Sequence, residues 1–246
     1  MPLSEQFEKT GAWLFQWRSY LPLLLIGLFF LAFLEIGYPY GHHWWDLPWE
    51  MLCLLVSLAG LGIRMLTVGQ VPFGTSGRNT KNQVARVLNT AGMYSVVRNP
   101  LYLGNFIIWL GVSLFLRRWW FTLLITLIFW LYYERIVYAE ESFLRKKFGE
   151  QFTQWASNTP AFLPDLRKWR KSALPFSWKV ALRKEYSTFF AIITTFTVIK
   201  FVGLIITHKT LMIDWVWAGI FLVGLFIYIP MRILKKYTQV LNVAGR

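Results

Sequence analysis

The chain has 246 residues, of which 56% are hydrophobic and 19% aromatic while only 15% are charged. That is more apolar surface than a soluble domain of this size can hide, so an ordinary water-soluble globular protein is excluded. The formal net charge of +14 sits in short clusters beside apolar runs, a pattern that suits anionic lipid headgroups better than a nucleic acid.

The first residues, up to about Tyr20, are polar and mixed in charge and do not read as a cleavable signal peptide. Six apolar segments follow that are long enough, at about 1.5 Å per residue, to cross all or most of a hydrocarbon layer about 30 Å thick. The first runs from Tyr20 to Ile36 and the second from Trp49 to Val68, joined by a Trp-rich interfacial loop. Glu35, near the end of the first, is expected to reach the interface. His42 and His43 lie in that loop, and adjacent positions suit chelation poorly, so no metal site is expected there. Cys53, the single cysteine, falls inside the second run and reads as a buried inert thiol.

The third and fourth segments, Leu101 to Leu116 and Trp119 to Val137, are separated only by Arg117 and Arg118, which predicts a tight helical hairpin. The last pair is Ser187 to Thr207 and Trp215 to Ile229. Lys200, inside the fifth, reads as a snorkelling cation, and Pro230 falls where a helix break costs least. The predicted fold is an all-α polytopic membrane bundle of about six spans. It divides into a two-span region (residues 1–73), a core (74–164), and a basic linker with two further spans (165–246).

Lysine and arginine concentrate in the N-terminal segment, between Arg64 and Arg98, from Arg135 to Lys184, and in the C-terminal tail. The positive-inside bias therefore predicts that these segments and both termini are cytosolic. The membrane would be a bacterial inner membrane or the endoplasmic reticulum. Arg117, Arg118 and Lys209 are the exceptions on the other side. The runs Arg145–Lys147 and Arg167–Lys171 are expected to hold amphipathic pieces against anionic headgroups, at about 1 kcal/mol per cation.

The chemistry concentrates between Gly74 and Pro164. A polar, Gly-rich stretch leads into the hairpin, and paired acids followed by a basic aromatic stretch leave it. Because the turn is short the two helices must lie antiparallel, so Arg98 to Tyr102 meets Tyr138 to Glu141 at one membrane face. Taken singly, Arg98 reads as a positive-inside anchor, and Glu140 and Glu141 could pair with Arg135, Arg145 or Lys147 along a wet helix. Their joint occurrence with Asn99-Pro100-x-Tyr102-x-Gly104 points further.

In order and spacing, Arg98, Asn99, Pro100, Leu101, Tyr102, Leu103 and Gly104, then Glu140, Glu141, Leu144, Phe148, Gly149, Pro160 and Pro164 resemble the isoprenylcysteine carboxyl methyltransferase and phospholipid methyltransferase family. The resemblance covers roughly ninety residues and leaves out the first span and the last two. It implies a site for S-adenosylmethionine beneath a lipid-facing tunnel. Tyr94, Asn99, Pro100, Leu101, Tyr102 and Glu140 would line the methyl donor, and Arg98, Arg135 and Glu141 would stand on the catalytic side, nearer the acceptor. Arg135 lies five residues before Glu140, where the family pattern has about four. Asn99 replaces the family's usual histidine and cannot titrate near neutral pH.

The residue types suit that chemistry. The donor carries a sulfonium, an ammonium and a carboxylate, which call for an acid, aromatic faces and hydrogen-bond donors. Methyl transfer is an in-line displacement that depends on positioning. An anionic nucleophile needs only an arginine to hold it, whereas an amine needs a base. With Asn99 in place of histidine, the balance favours O-methylation of a lipid-linked carboxylate or phosphate. Two alternatives differ in class: an NADPH-dependent membrane sterol or lipid reductase, and a non-catalytic membrane protein that retains the fold.

Overall fold

The structure, a computed structural model, describes residues 2–18, 25–34, 45–72, 74 and 85–245. Glu35, His42 and His43 lie outside the described residues. Nine α-helices account for most of what is described, with no strand among those residues. They are α1 Leu3–Trp17, α2 Leu25–Leu34, α3 Asp46–Val68, α4 Met93–Val96, α5 Pro100–Leu114, α6 Trp119–Phe148, α7 Glu150–Asn158, α8 Trp178–His208 and α9 Trp215–Tyr237.

Four helices, α3, α6, α8 and α9, are long and apolar enough to cross a membrane, and the chain is an integral membrane protein. Helix α5 is apolar but only 15 residues long, and the first expected span coincides with α2 only in part. Both are compatible with six spans. Many large apolar side chains on the long helices face outward, among them Leu123, Leu127, Trp130, Leu222 and Phe226, as expected where lipid rather than water is the surrounding solvent.

The hairpin forms as its spacing predicts. Helix α5 opens with Pro100, where the missing N–H costs no helical hydrogen bond. It ends at Leu114, and Arg117 turns the chain with a left-handed φ of 55°. Helices α3 and α5 pack at backbone contact, because small residues face each other as in many membrane helix pairs. A Cβ on Gly60 would stand 2.6 Å from the Gly104 carbonyl oxygen and one on Gly104 would stand 2.8 Å from the Gly60 carbonyl oxygen, so the approach needs glycine at both positions, one of them part of the motif. Ser57 adds a hydrogen bond to the Ile108 carbonyl at 2.8 Å.

The main core lies toward the hairpin turn. Phe115, Phe196 and Trp217 join α5, α8 and α9 edge to face and face to face, with centroids 5.1–5.8 Å apart. Lys200 corrects the sequence reading here. Its side chain is only 8% exposed and does not snorkel, because its ammonium pairs with Glu50 at 2.6 Å and with Asp214 at 3.4 Å. Trp217 donates its indole N–H to the other Glu50 oxygen at 2.7 Å. Two carboxylates thus replace the water that a snorkelling lysine would seek, and the indole N–H satisfies the second oxygen of Glu50.

Several further features differ from the sequence expectation. The polar N-terminal segment forms helix α1, laid antiparallel along α6, with Phe15 buried beside Tyr133 and Ile136. Helix α6 continues eleven residues beyond Val137 to Phe148, and α8 begins nine residues before Ser187. Pro230 does not end α9, which runs through it to Tyr237. The basic run at 167–171 forms no α-helix. It is a single 3-10 turn, Leu166–Lys168, within an irregular strap running from Pro160 to Ser177.

Candidate functional site

The strap and the hairpin ends build the site. Segment 92–98 is held by backbone hydrogen bonds to the strap: Gly92 to Arg170 at 2.8 Å, Asp165 to Val96 at 3.0 Å and Arg98 to Pro160 at 2.8 Å. Ser95 accepts from the Arg170 N–H at 2.8 Å. Gly92, with φ of 62°, makes the turn that starts this segment. Helix α7 covers it from the other side, where Phe152 is fully buried and Trp155 donates to the Tyr94 carbonyl at 3.1 Å. The short helix α4 therefore has a fixed position although its four residues could not hold a helix alone.

Across the hairpin, Arg98 donates to Glu141 at 2.9 Å, with both side chains about one fifth exposed. Tyr102 donates its hydroxyl to Glu140 at 2.8 Å. Arg18, at the end of α1, stands 3.6 Å from the same Glu140 carboxylate and 3.9 Å over the Phe15 ring. Asn99 donates weakly to the Ala161 carbonyl at 3.4 Å, and its side chain lies beside Glu141. Burial, reinforced by the charge of Glu140, pushes the Tyr94 hydroxyl above its usual range, so it stays neutral. Pro100 and Leu101 open α5, where unpaired helical N–H groups favour an anionic ligand.

Two buried polar atoms in this group have no hydrogen-bond partner among the described residues: Nε of Arg98 and Oε1 of Glu141. One is a donor and the other an acceptor, so the arginine–glutamate pair retains capacity for a zwitterionic or anionic ligand. A zwitterionic methyl donor fits this residue set. Glu140, Tyr94 and Tyr102 suit its cationic part, and the start of α5 suits its carboxylate.

Of the residues singled out by sequence, Tyr94, Arg98, Asn99, Pro100, Leu101, Tyr102, Glu140 and Glu141 come to one end of the hairpin. Arg135 does not join them. Its guanidinium lies over the Phe7 ring of α1, 5.1 Å from the centroid, because α6 turns that face toward α1, where Gly11 meets the Arg135 carbonyl.

Sequence reasoning missed Arg18, Arg64, Asn105, Tyr133 and Glu185. Arg64 is mostly buried near the end of α3, with Nε and Nη2 donating to Glu185 of α8 at 2.9 and 2.8 Å and Nη1 to Asn105 at 2.6 Å. Asn105 donates onward to the Tyr133 hydroxyl at 3.3 Å, and the Tyr133 ring lies 4.5 Å from that of Tyr102. Arg64 and Glu185 are opposite charges near the ends of two apolar runs, the one signal that could have paired them. No group of three or more His, Cys, Asp or Glu side chains among the described residues could hold a metal ion.

A polytopic helical membrane protein with balanced carboxylates and guanidiniums at one end of a tight hairpin is the class that fold and site define. The phospholipid methyltransferase family matches residues 50–151, from α3 to the start of α7. The cobalt-zinc-cadmium resistance protein CzcN of Cupriavidus metallidurans is 33% identical over 156 residues, 63% of this chain and 64% of that protein. The nickel-cobalt-cadmium resistance protein NccN of Alcaligenes xylosoxydans xylosoxydans is 31% identical over 159 residues, 64% of this chain and 67% of that one. The protein-S-isoprenylcysteine O-methyltransferase of Schizosaccharomyces pombe is 33% identical over 85 residues, 35% of this chain and 36% of that protein. The chain thus spans about two thirds or less of the curated relatives it matches. No solved structure matches it. The chain belongs to the phospholipid methyltransferase family, whose model its residues 50–151 match.

Proposed function

We propose that the chain transfers a methyl group from S-adenosylmethionine to an amphiphilic acceptor lying in the bilayer, and that the acceptor atom is an anionic oxygen of a lipid-linked carboxylate or phosphate. The observation that carries this reading is the pairing of Arg98 with Glu141 beside Tyr102 with Glu140, with one donor and one acceptor of the first pair left over. Family membership supports the reaction class, and the isoprenylcysteine O-methyltransferase relative supports an oxygen acceptor.

When bound, S-adenosylmethionine supplies a methyl group activated by its sulfonium charge. Glu140, oriented by Tyr102, balances that positive charge in a site partly closed to water, where a fixed carboxylate acts more strongly than in solution. Tyr94 and Tyr102 offer aromatic faces, and the N–H groups at the start of α5 hold the donor carboxylate. Arg98, braced by Glu141, holds the acceptor oxygen in line through its Nε, which has no partner among the described residues. No residue has to remove a proton from an acceptor that is already anionic, so Asn99 in place of a histidine is no obstacle. Arg135 enters this reading through the seating of α1. The clusters of lysine and arginine support a cytosolic position for this end of the hairpin, next to anionic headgroups.

The test is equilibrium binding of S-adenosylmethionine to purified protein in lipid nanodiscs, with Glu140→Ala and Tyr102→Phe compared and NADPH run in parallel. Saturable binding that weakens in both variants is expected. Binding of NADPH instead, or of neither ligand, overturns the reading.

A further inference from the structure

The family match ends at residue 151, ahead of α8 and α9, yet one side chain of α8 reaches into the machinery beneath the site. We propose that Glu185 is a positioning residue for the methyl-donor site, acting through Arg64 and Asn105, so that the C-terminal helix pair is a working part of that site. The inference rests on the methyltransferase reading above.

The geometry is that of a fork with every arm engaged. Glu185, 3% exposed, takes two of the three arms of Arg64 at 2.9 and 2.8 Å, a planar bidentate pair that fixes the guanidinium in orientation as well as place. The third arm is thereby aimed at Oδ1 of Asn105, 2.6 Å away. Asn105 stands three residues after Tyr102 and so shares its face of α5. With its carbonyl held by Arg64, the Asn105 amide nitrogen is turned toward Tyr133, and it donates to that hydroxyl at 3.3 Å. Tyr133 packs at 4.5 Å on Tyr102, whose hydroxyl holds Glu140. Room for the fork is made by Gly104, where a Cβ would stand 2.5 Å from Cγ of Arg64.

A lysine at position 64 could meet one carboxylate oxygen but could not orient Asn105 at the same time, because an ammonium is a point charge without a planar fork. Apolar side chains of similar volume would join α3 to α8 equally well and avoid the cost of burying charge. Directional hydrogen bonds toward the site are what the charged pair adds.

The experiment uses the full chain in nanodiscs and reads S-adenosylmethionine affinity, thermal stability, and hydrogen exchange of peptides covering residues 100–106. Glu185→Gln should weaken donor binding about tenfold, the effect of losing roughly 1.4 kcal/mol, and should speed exchange at the start of α5. Because that variant leaves Arg64 buried without a countercharge, the double variant Arg64→Leu with Glu185→Leu is the decisive one. It should regain thermal stability without regaining donor affinity or slow exchange. Glu50→Gln, in the buried cluster toward the hairpin turn, should lower stability and leave donor affinity within twofold. Unchanged affinity in Glu185→Gln, or recovery of both affinity and exchange in the double variant, reduces α8 to packing and overturns the proposal. If the wild type binds no S-adenosylmethionine, the methyltransferase reading falls; exchange then decides the linkage alone, and unchanged exchange in Glu185→Gln sinks it.

Discussion

Among the described residues charge is buried in two places, and the two are built differently. Toward the hairpin turn, Lys200 is shared by Glu50 and Asp214, and Trp217 occupies the remaining Glu50 oxygen. At the other end, Arg64 and Glu185 pair but pass one arm on to Asn105, and above them Arg98 and Glu141 each keep a buried polar atom without a partner among the described residues. The first cluster is closed, with its hydrogen bonds directed among α3, α8, α9 and the α8–α9 connection. The second is open. Closed networks hold helices together, whereas buried groups with spare bonding capacity mark a place where a ligand completes the set.

The largest effect should come from breaking the closed cluster. Glu50→Ala leaves Lys200 buried without its nearer carboxylate and Trp217 without its acceptor, a loss of about 3–5 kcal/mol, read as a lower melting temperature, with unchanged donor affinity in the protein that stays folded. Next is Glu140→Ala, which removes a charged hydrogen-bonding partner worth about 1.5–3 kcal/mol. It should weaken S-adenosylmethionine binding by roughly tenfold to a hundredfold and change melting little, because Arg18 remains partly exposed to solvent. Tyr102→Phe deletes one neutral donor, worth about 1 kcal/mol, so titration should show a loss of roughly fivefold. Smallest is Arg135→Ala. It removes the contact with Phe7, worth about 0.5–1 kcal/mol, and should lower melting slightly and leave donor affinity within about twofold. A strong loss of donor binding from Glu50→Ala, or none from Glu140→Ala, would erase the contrast between the two clusters.

The site was legible where it is local or constrained by the hairpin. Arg98 to Tyr102 and Glu140 with Glu141 could be brought together from sequence because a turn of only a few residues forces two helices antiparallel and fixes their register. Arg135 was misplaced relative to the group. A helix turns about 100° per residue, so five residues before Glu140 put it on a different face, and which face meets α1 depends on the partner. Arg18 was missed because the N-terminal segment read only as polar and mixed in charge; its helix packs Phe15 against Tyr133 and Ile136. Lys200 was read as snorkelling because a cation in an apolar run carries no mark of its partners, which here lie 150 residues back and fourteen residues ahead in sequence.

By itself the sequence determined that this is a helical membrane protein, where its hairpin turns, and which polar groups the hairpin brings together. Those properties follow from the hydrophobic length of each run and from a turn too short to allow alternatives. Only the tertiary structure decided which buried charges pair, that α1 supplies Arg18 to the site, and that α8 reaches it through Glu185 and Arg64. In lipid, apolar side chains are satisfied on any outward face, so periodicity does not reveal which faces meet. Packing at small residues and the need to pair every buried charge settle that instead.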